Sequence, residues 1–186
     1  MNDYTIALFL HIVGSLGIFM MIGFEWTGLW QIRSAMIPEQ VREWMGILNC
    51  IRRVGFAAML TTVVSGFYMV LTDWGDVAWI YVSIGALVLV IILSGALTGP
   101  QMAVIGQALA SKKEPVSSIF HNLANNPLLW ISIQTRVAIA LGVVFLKIAK
   151  PNLAGSFLTI GVAIALGLAS ALPIPRRERV QERSAD

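Results

Sequence analysis

Charge is what this chain has least of. Only 12% of its 186 residues are Asp, Glu, Lys or Arg, while 57% are hydrophobic, and a soluble fold of this size needs a charged surface around its core. The surplus apolar surface has to face lipid. Cysteine is nearly absent too: Cys50 stands alone, which excludes an internal disulfide and any Cys-rich zinc or iron–sulfur site. A phosphate-binding Gly-rich loop, His-Glu-x-x-His, Cys-x-x-Cys-His and a nucleophile elbow are all missing, so no soluble-type active site is written here. Whether the chain is an enzyme stays open on these grounds. The net charge is +3, and its basic residues sit at the ends of apolar blocks instead of forming a patch with interleaved aromatics, which argues against nucleic acid.

Apolar blocks make up most of what is present. Crossing a hydrocarbon layer of about 30 Å takes roughly 20 helical residues, and five blocks are long enough: Thr5–Trp30, Val54–Thr72, Val77–Leu97, Leu128–Ile148 and Leu153–Leu172. In lipid each backbone N–H and C=O must be satisfied internally, and the blocks lack the alternation of a barrel, so each is expected to be a helix. The expected fold is an all-α polytopic membrane bundle, a single domain over residues 1–175 with a short charged tail at 176–186. Its first span follows Met1-Asn2-Asp3-Tyr4 without a basic n-region or a cleavage site, and reads as uncleaved.

Lys and Arg set the expected orientation. With the N-terminus outside, Arg33, Arg42, Arg52, Arg53, Lys112, Lys113, Arg176, Arg177, Arg179 and Arg183 fall on the cytoplasmic side, and only Lys147 and Lys150 fall outside. That is the pattern of a bacterial inner membrane protein with its C-terminus in the cytoplasm. Trp26, Trp30, Trp44 and Trp130 fall near the inner boundary, and Trp74 and Trp79 near the outer one, as an aromatic belt requires. Two cytoplasmic stretches read as interfacial helices. Pro38 and Glu39 start one, with Val41, Trp44, Met45, Leu48 and Ile51 on one face. The second lies between Pro100 and Asn126, where Gln101–Ala110 and Val116–Leu123 are short helical candidates broken by Pro115 and Pro127; the placement of this segment and the role of His121 within it are not fixed by sequence.

Ionisable groups inside a bilayer are costly and normally find partners in the bundle interior. Three stand out: His11, Glu25 and Arg136. His11 and Glu25 are fourteen residues apart, close to four turns, so they share one face of the first span with Ser15. His11 lies about 9 Å below the outer end and Glu25 about 30 Å along, too far apart to share an ion. Arg136 lies roughly 12 Å into the fourth span. Side chains lean toward their helix N-terminus, which brings Glu25 and Arg136 toward each other from antiparallel spans, so a buried ion pair is expected. Thr61, Ser65, Tyr68 and Thr72 form a polar stripe with two readings: a lining of the bundle near His11, or, as the default, ordinary interhelical hydrogen bonding. Met20, Met21, Met59 and Met69 carry soft sulfurs that suit Cu(I), without a clustered motif. Gly95 and Gly99 end the third span, and Gly161, Ala165 and Ala169 run along the fifth beside Ala163, Gly167 and Ala171, spacings that let helices approach closely, within the chain or between protomers of a homo-oligomer or larger complex.

Leu8-Phe9-Leu10-His11-Ile12-Val13-Gly14, an apolar Leu-His-x-x-Gly at the start of a first span, resembles the opening of CopD-type copper-resistance proteins, HemJ-type protoporphyrinogen oxidases and uncharacterised small bacterial membrane proteins. Thr135-Arg136 and Phe145–Pro151 are similar to the last group. The resemblance implies that His11 is a candidate cofactor-binding or metal residue, with heme, a porphyrin or copper as ligand. Two other classes stay open: a small ion or solute carrier or channel with Glu25 and Arg136 on its path, and an accessory subunit docking through its Gly/Ala stripes.

Overall fold

The computed structural model describes residues 2–35, 37–75, 77–110 and 126–171. Lys112, Lys113, Val116–Leu123, His121 and the tail at 176–186 lie outside the described residues. Within them the chain is helical throughout. Helix α1 spans Asp3–Ser34 and α2 spans Pro38–Met69, closing in a π-helical turn, Val70–Trp74. Helix α3, Ala78–Leu93, passes through a second π segment, Ser94–Thr98, into α4, Gly99–Ala110. Helices α5, Pro127–Ala149, and α6, Leu153–Ala171, complete the bundle. Five of the resulting rods are long and apolar enough to cross a membrane, and large apolar side chains such as Phe9, Leu16, Met20, Phe56, Leu71 and Leu166 are exposed on their outer faces. This is a multi-pass membrane protein.

Local chemistry sets the helix ends. Pro38 and Pro127 occupy first-turn positions, where a missing N–H costs nothing. Asn126 Oδ1 accepts from the Leu128 N–H at 3.0 Å and caps α5. Lys150 closes α5 in the left-handed region (φ 47°), its N–H donating to the Leu146 carbonyl at 2.9 Å. Pro151 then ends the helix, and Asn152 Oδ1 accepts from the Gly155 N–H at 2.9 Å to begin α6. Gly75, at φ 55°, makes the reversal into α3 that an L side chain would resist.

The two expected interfacial helices merge with spans in the structure. Pro38–Arg53 does not turn to lie apart from Val54–Thr72: nothing between Ile51 and Val54 breaks a helix, and the two form one rod of 35 residues, Pro38–Thr72. Gln101–Ala110 likewise continues the third span through the π segment, in a rod of 33 residues from Ala78 to Ala110. The apolar face Val41, Leu48 does not meet lipid. It packs with Leu29, Ile32, Met102, Ile105, Leu129 and Ile133 into a core at the α1–α2 turn end, with Trp44 and Met45 against it. Trp130, expected at a headgroup boundary, is also in the interior (2% exposed), its ring edge-on to Trp30 at 6.1 Å with the Arg33 guanidinium 5.7 Å away. Trp26 and Trp30 do face outward.

Two antiparallel hairpins carry the packing. In α1–α2, Gly14 lies against Ala58 and Thr62, Gly55 against Met21 and Gly28 against Leu48, so the helices keep one register along their length. In α5–α6, Gly142 lies against Ala163, and Gly167 lies on the backbone of Thr135. Small residues therefore let the backbones approach where no hydrophobic force drives helices together. The stripes on α6 divide: Ala163, Gly167 and Ala171 are buried, whereas Gly161, Ala165 and Ala169 are exposed. Helix α5 is the hub, with half of its apolar window buried; α3 packs on it through Val82 and Ala86 against Ile139, Val143 and Leu146.

Candidate functional site

Two polar contacts join α1 to α5, one toward each end of the bundle. The first is built on Arg136, whose long side chain is 1% exposed. Its Nη1 donates to Glu25 Oε2 at 2.9 Å, its Nη2 to Thr98 Oγ1 at 3.2 Å and its Nε to the Ser132 carbonyl, one turn back on α5, at 3.3 Å. Thr98 and Ser132 are fully buried and share a hydrogen bond of 3.0 Å, and the Ser132 hydroxyl also donates to the Leu93 carbonyl at 3.2 Å. Leu93 and Thr98 bracket the π segment. Such a segment widens the helical turn and leaves carbonyls free for side chains, which accounts for both the Leu93 acceptor and the inward Thr98. Glu25 and Arg136 meet from the faces their positions in the sequence assign them, whereas Thr98 carries no mark in the sequence, because a π turn in Ser94–Thr98 has no composition signal. Thr135, beside Arg136, points its hydroxyl into the interior with no partner among the described residues.

The second contact brings together His11 and Lys147. Lys147 Nζ is 2.6 Å from His11 Nε2, and His11 Nδ1 is 2.9 Å from the Thr62 carbonyl oxygen. A carbonyl oxygen only accepts, so Nδ1 carries the ring proton and donates it; Nε2 of the neutral ring then holds a lone pair, to which the lysine N–H donates. Ser15 Oγ donates to the His11 carbonyl at 2.7 Å, which ties that serine to its own helix. Gly66 leaves room for the imidazole: a Cβ there would come within 2.9 Å of His11 Cε1. No carboxylate among the described residues pairs with Lys147. Lys147 is the member of this contact that its position in the sequence assigns elsewhere, to the outer boundary, since nothing in the spacing within α5 marks it as facing His11.

The polar stripe of α2 is placed differently from its expected role. Ser65 sits beside the histidine, its hydroxyl 3.5 Å from Nδ1, and the acceptor is the Thr62 backbone. Thr61 donates to the Ala57 carbonyl and Thr72 to the Tyr68 carbonyl, each on its own helix, and Tyr68 is exposed, so none of these three is bonded to His11. Met20 faces outward, and Met21 packs on Gly55. No cluster of three or more His, Cys, Asp or Glu suited to a metal occurs among the described residues. Comparison with known proteins finds no matching family model, no matching curated protein and no matching solved structure.

Proposed function

We propose that this protein binds a carboxylate-bearing tetrapyrrole, a heme or porphyrin, at the His11–Lys147 contact, in a bacterial plasma membrane with its N-terminus outside and its C-terminus in the cytoplasm. The observation that carries the reading is the anchored imidazole. With Nδ1–H held by the Thr62 carbonyl, Nε2 presents its lone pair in a fixed direction, the arrangement by which a backbone acceptor orients a histidine for ligation. Lys147 occupies that direction, and its flexible stem lets the ammonium swing aside to pair with a ligand carboxylate. Bound heme would supply one-electron chemistry at its iron; His11 would hold it, Thr62 fix the ring and Lys147 meet a propionate. Copper suits the site less well, since its neighbours are a cation, hydroxyls and a carbonyl in place of soft sulfur. The likeness of Leu8–Gly14 to HemJ-type openings supports the same reading.

Basic residues support the orientation: Arg33, Arg42, Arg52 and Arg53 lie at the α1–α2 turn end, Lys147 and Lys150 at the other. The carrier reading draws less support, because Arg136 is enclosed and held by three acceptors. Gly161, with open space above it, and exposed Ala165 favour a second contact, between copies of the chain or with a larger complex; Gly95 is similarly uncovered, whereas Gly99 is half-buried and Gly167 is covered.

The test is spectroscopic. Detergent-purified protein titrated with hemin is expected to give a Soret band that His11→Ala abolishes, and that Lys147→Met retains with affinity weakened about tenfold or more, the worth of one charge-assisted hydrogen bond. Wild type that binds no hemin, or a His11→Ala variant with an unchanged spectrum, overturns the proposal.

A further inference from the structure

The constant register of α1 against α2 locates a chemical boundary on the protein. Along the exposed face of α2 every residue from Val54 to Leu71 that projects outward is apolar or aromatic, including Phe56, Leu60, Val63, Val64 and Phe67. At 1.5 Å per residue this band is about 27 Å tall, close to the thickness of a hydrocarbon layer. Immediately before it, the exposed residues become Glu39, Gln40, Arg42, Glu43, Asn49, Arg52 and Arg53 with Ile47 the one large apolar exception. The change falls at Arg53. Since Met21 faces Gly55 and Gly28 faces Leu48, Arg52 and Arg53 stand level with Phe24 and Gly23, one residue short of Glu25. The Glu25–Arg136 pair thus lies at the same height, where the bundle leaves the hydrocarbon, and the core around Leu48 and Ile105 forms a helical head beyond it.

Arg52 and Arg53 are both exposed, and neither makes a hydrogen bond or ion pair with another described residue. Among the described residues the only carboxylate at their level, Glu25, is taken by Arg136. On their own helix the nearest acid is Glu43, nine residues back, about 14 Å away along the axis. Arg53, Phe56 and Leu60 follow one another at spacings of three and four, on one exposed face. A guanidinium at the hydrocarbon boundary with apolar side chains directly above it matches one partner chemistry: a phosphate with acyl chains attached. We infer that Arg52 and Arg53 form a binding site for an anionic phospholipid, whose phosphate oxygens accept from the guanidinium N–H groups and whose chains lie along Phe56 and Leu60. An acidic protein surface would satisfy the arginines but not the apolar face that continues from them.

Native mass spectrometry of the full chain in detergent, titrated separately with phosphatidylglycerol and phosphatidylcholine, tests this. Wild type is expected to retain phosphatidylglycerol preferentially, with retention falling about fivefold for each arginine replaced in Arg52→Gln and Arg53→Gln, and unchanged in Arg42→Gln, three turns into the head. Phe56→Ser, which keeps both charges, is expected to weaken retention of both lipids. Circular dichroism verifies that each variant is folded. Equal retention of the two lipids by wild type, undiminished retention in the double glutamine variant, or an Arg42→Gln loss as large as that of Arg53→Gln overturns the inference, as does a glutamine variant that loses a protein partner or oligomeric mass while keeping its lipid.

Discussion

Removing Glu25 is predicted to harm the fold more than removing Arg136, although the two are partners. Arg136 is 1% exposed and its side chain has three acceptors, of which only Glu25 is charged; the Glu25 side chain is 13% exposed. Glu25→Leu therefore strands a guanidinium, which does not shed its proton, among two neutral oxygens in the interior. Breaking a buried pair in this way costs about 3–5 kcal/mol. Arg136→Leu leaves a carboxylate with a route to water or to a proton, and it leaves Thr98 and Ser132 bonded to each other at 3.0 Å, so its loss is expected to be about 1–3 kcal/mol. Glu25→Gln keeps an acceptor but no charge and should fall near 1–2 kcal/mol. In Glu25→Leu/Arg136→Leu no charge remains, and the cost should be smaller than that of Glu25→Leu alone. Equilibrium unfolding of the reconstituted protein by a denaturing detergent, run as a double-mutant cycle, measures all four. If Arg136→Leu proves the more damaging single change, or the coupling is below about 0.5 kcal/mol, the reasoning from burial and acceptors is wrong.

Two further predictions concern the small residues. Gly167→Val places a side chain on the Thr135 backbone and should cost about 1–3 kcal/mol or more by forcing α5 and α6 apart, whereas Gly161→Val meets open space and should stay within about 0.5 kcal/mol in a monomer; equal effects in thermal unfolding would contradict the division of the α6 stripes. The α1–α2 register predicts that cysteines at Gly17 and Ala58, whose Cβ positions lie 2.6 Å apart, form a disulfide on oxidation in a Cys50→Ser background after the helices yield by about 1 Å. Gly17→Cys paired with Leu60→Cys, two residues on and exposed on the opposite face of α2, should not, and the shift is read on a non-reducing gel.

The fold was legible because the dominant force in a bilayer leaves a plain mark on sequence: five apolar runs of sufficient length have few other solutions. Glu25 and Arg136 were legible as well, since two costly charges on antiparallel helices with converging side chains leave few alternatives. The head formed by Val41, Leu48, Met102 and Ile105 was misread. An amphipathic helix looks the same whether its apolar face meets lipid or another helix, and only tertiary context decides which. Lys147 was hidden for a different reason: a lysine near the end of a span ordinarily snorkels outward, and its inward turn depends on an acceptor, His11 Nε2, presented by another helix 136 positions away in sequence.

What joins the hairpins is polar, and that follows from the solvent. Apolar side chains gain little by leaving lipid for one another, so shape alone holds α1–α2 and α5–α6 together where glycines permit close approach, but it does little to choose how one hairpin slides along the other. A carboxylate or an ammonium in hydrocarbon has a steep preference for its partner. The partners here recur at two heights, about 21 Å apart on α1 from His11 to Glu25 and about 16 Å apart on α5 from Lys147 to Arg136, the difference being taken up by the longer reach of the Arg–Glu pair. A slip of one helical turn between α1 and α5 separates both pairs at once, leaving Glu25 and Lys147 without their partners and Arg136 without its carboxylate. The two contacts act together as a ruler for docking, and the His11–Lys147 contact, whose lysine pairs with no carboxylate among the described residues, is the one the proposed ligand would enter.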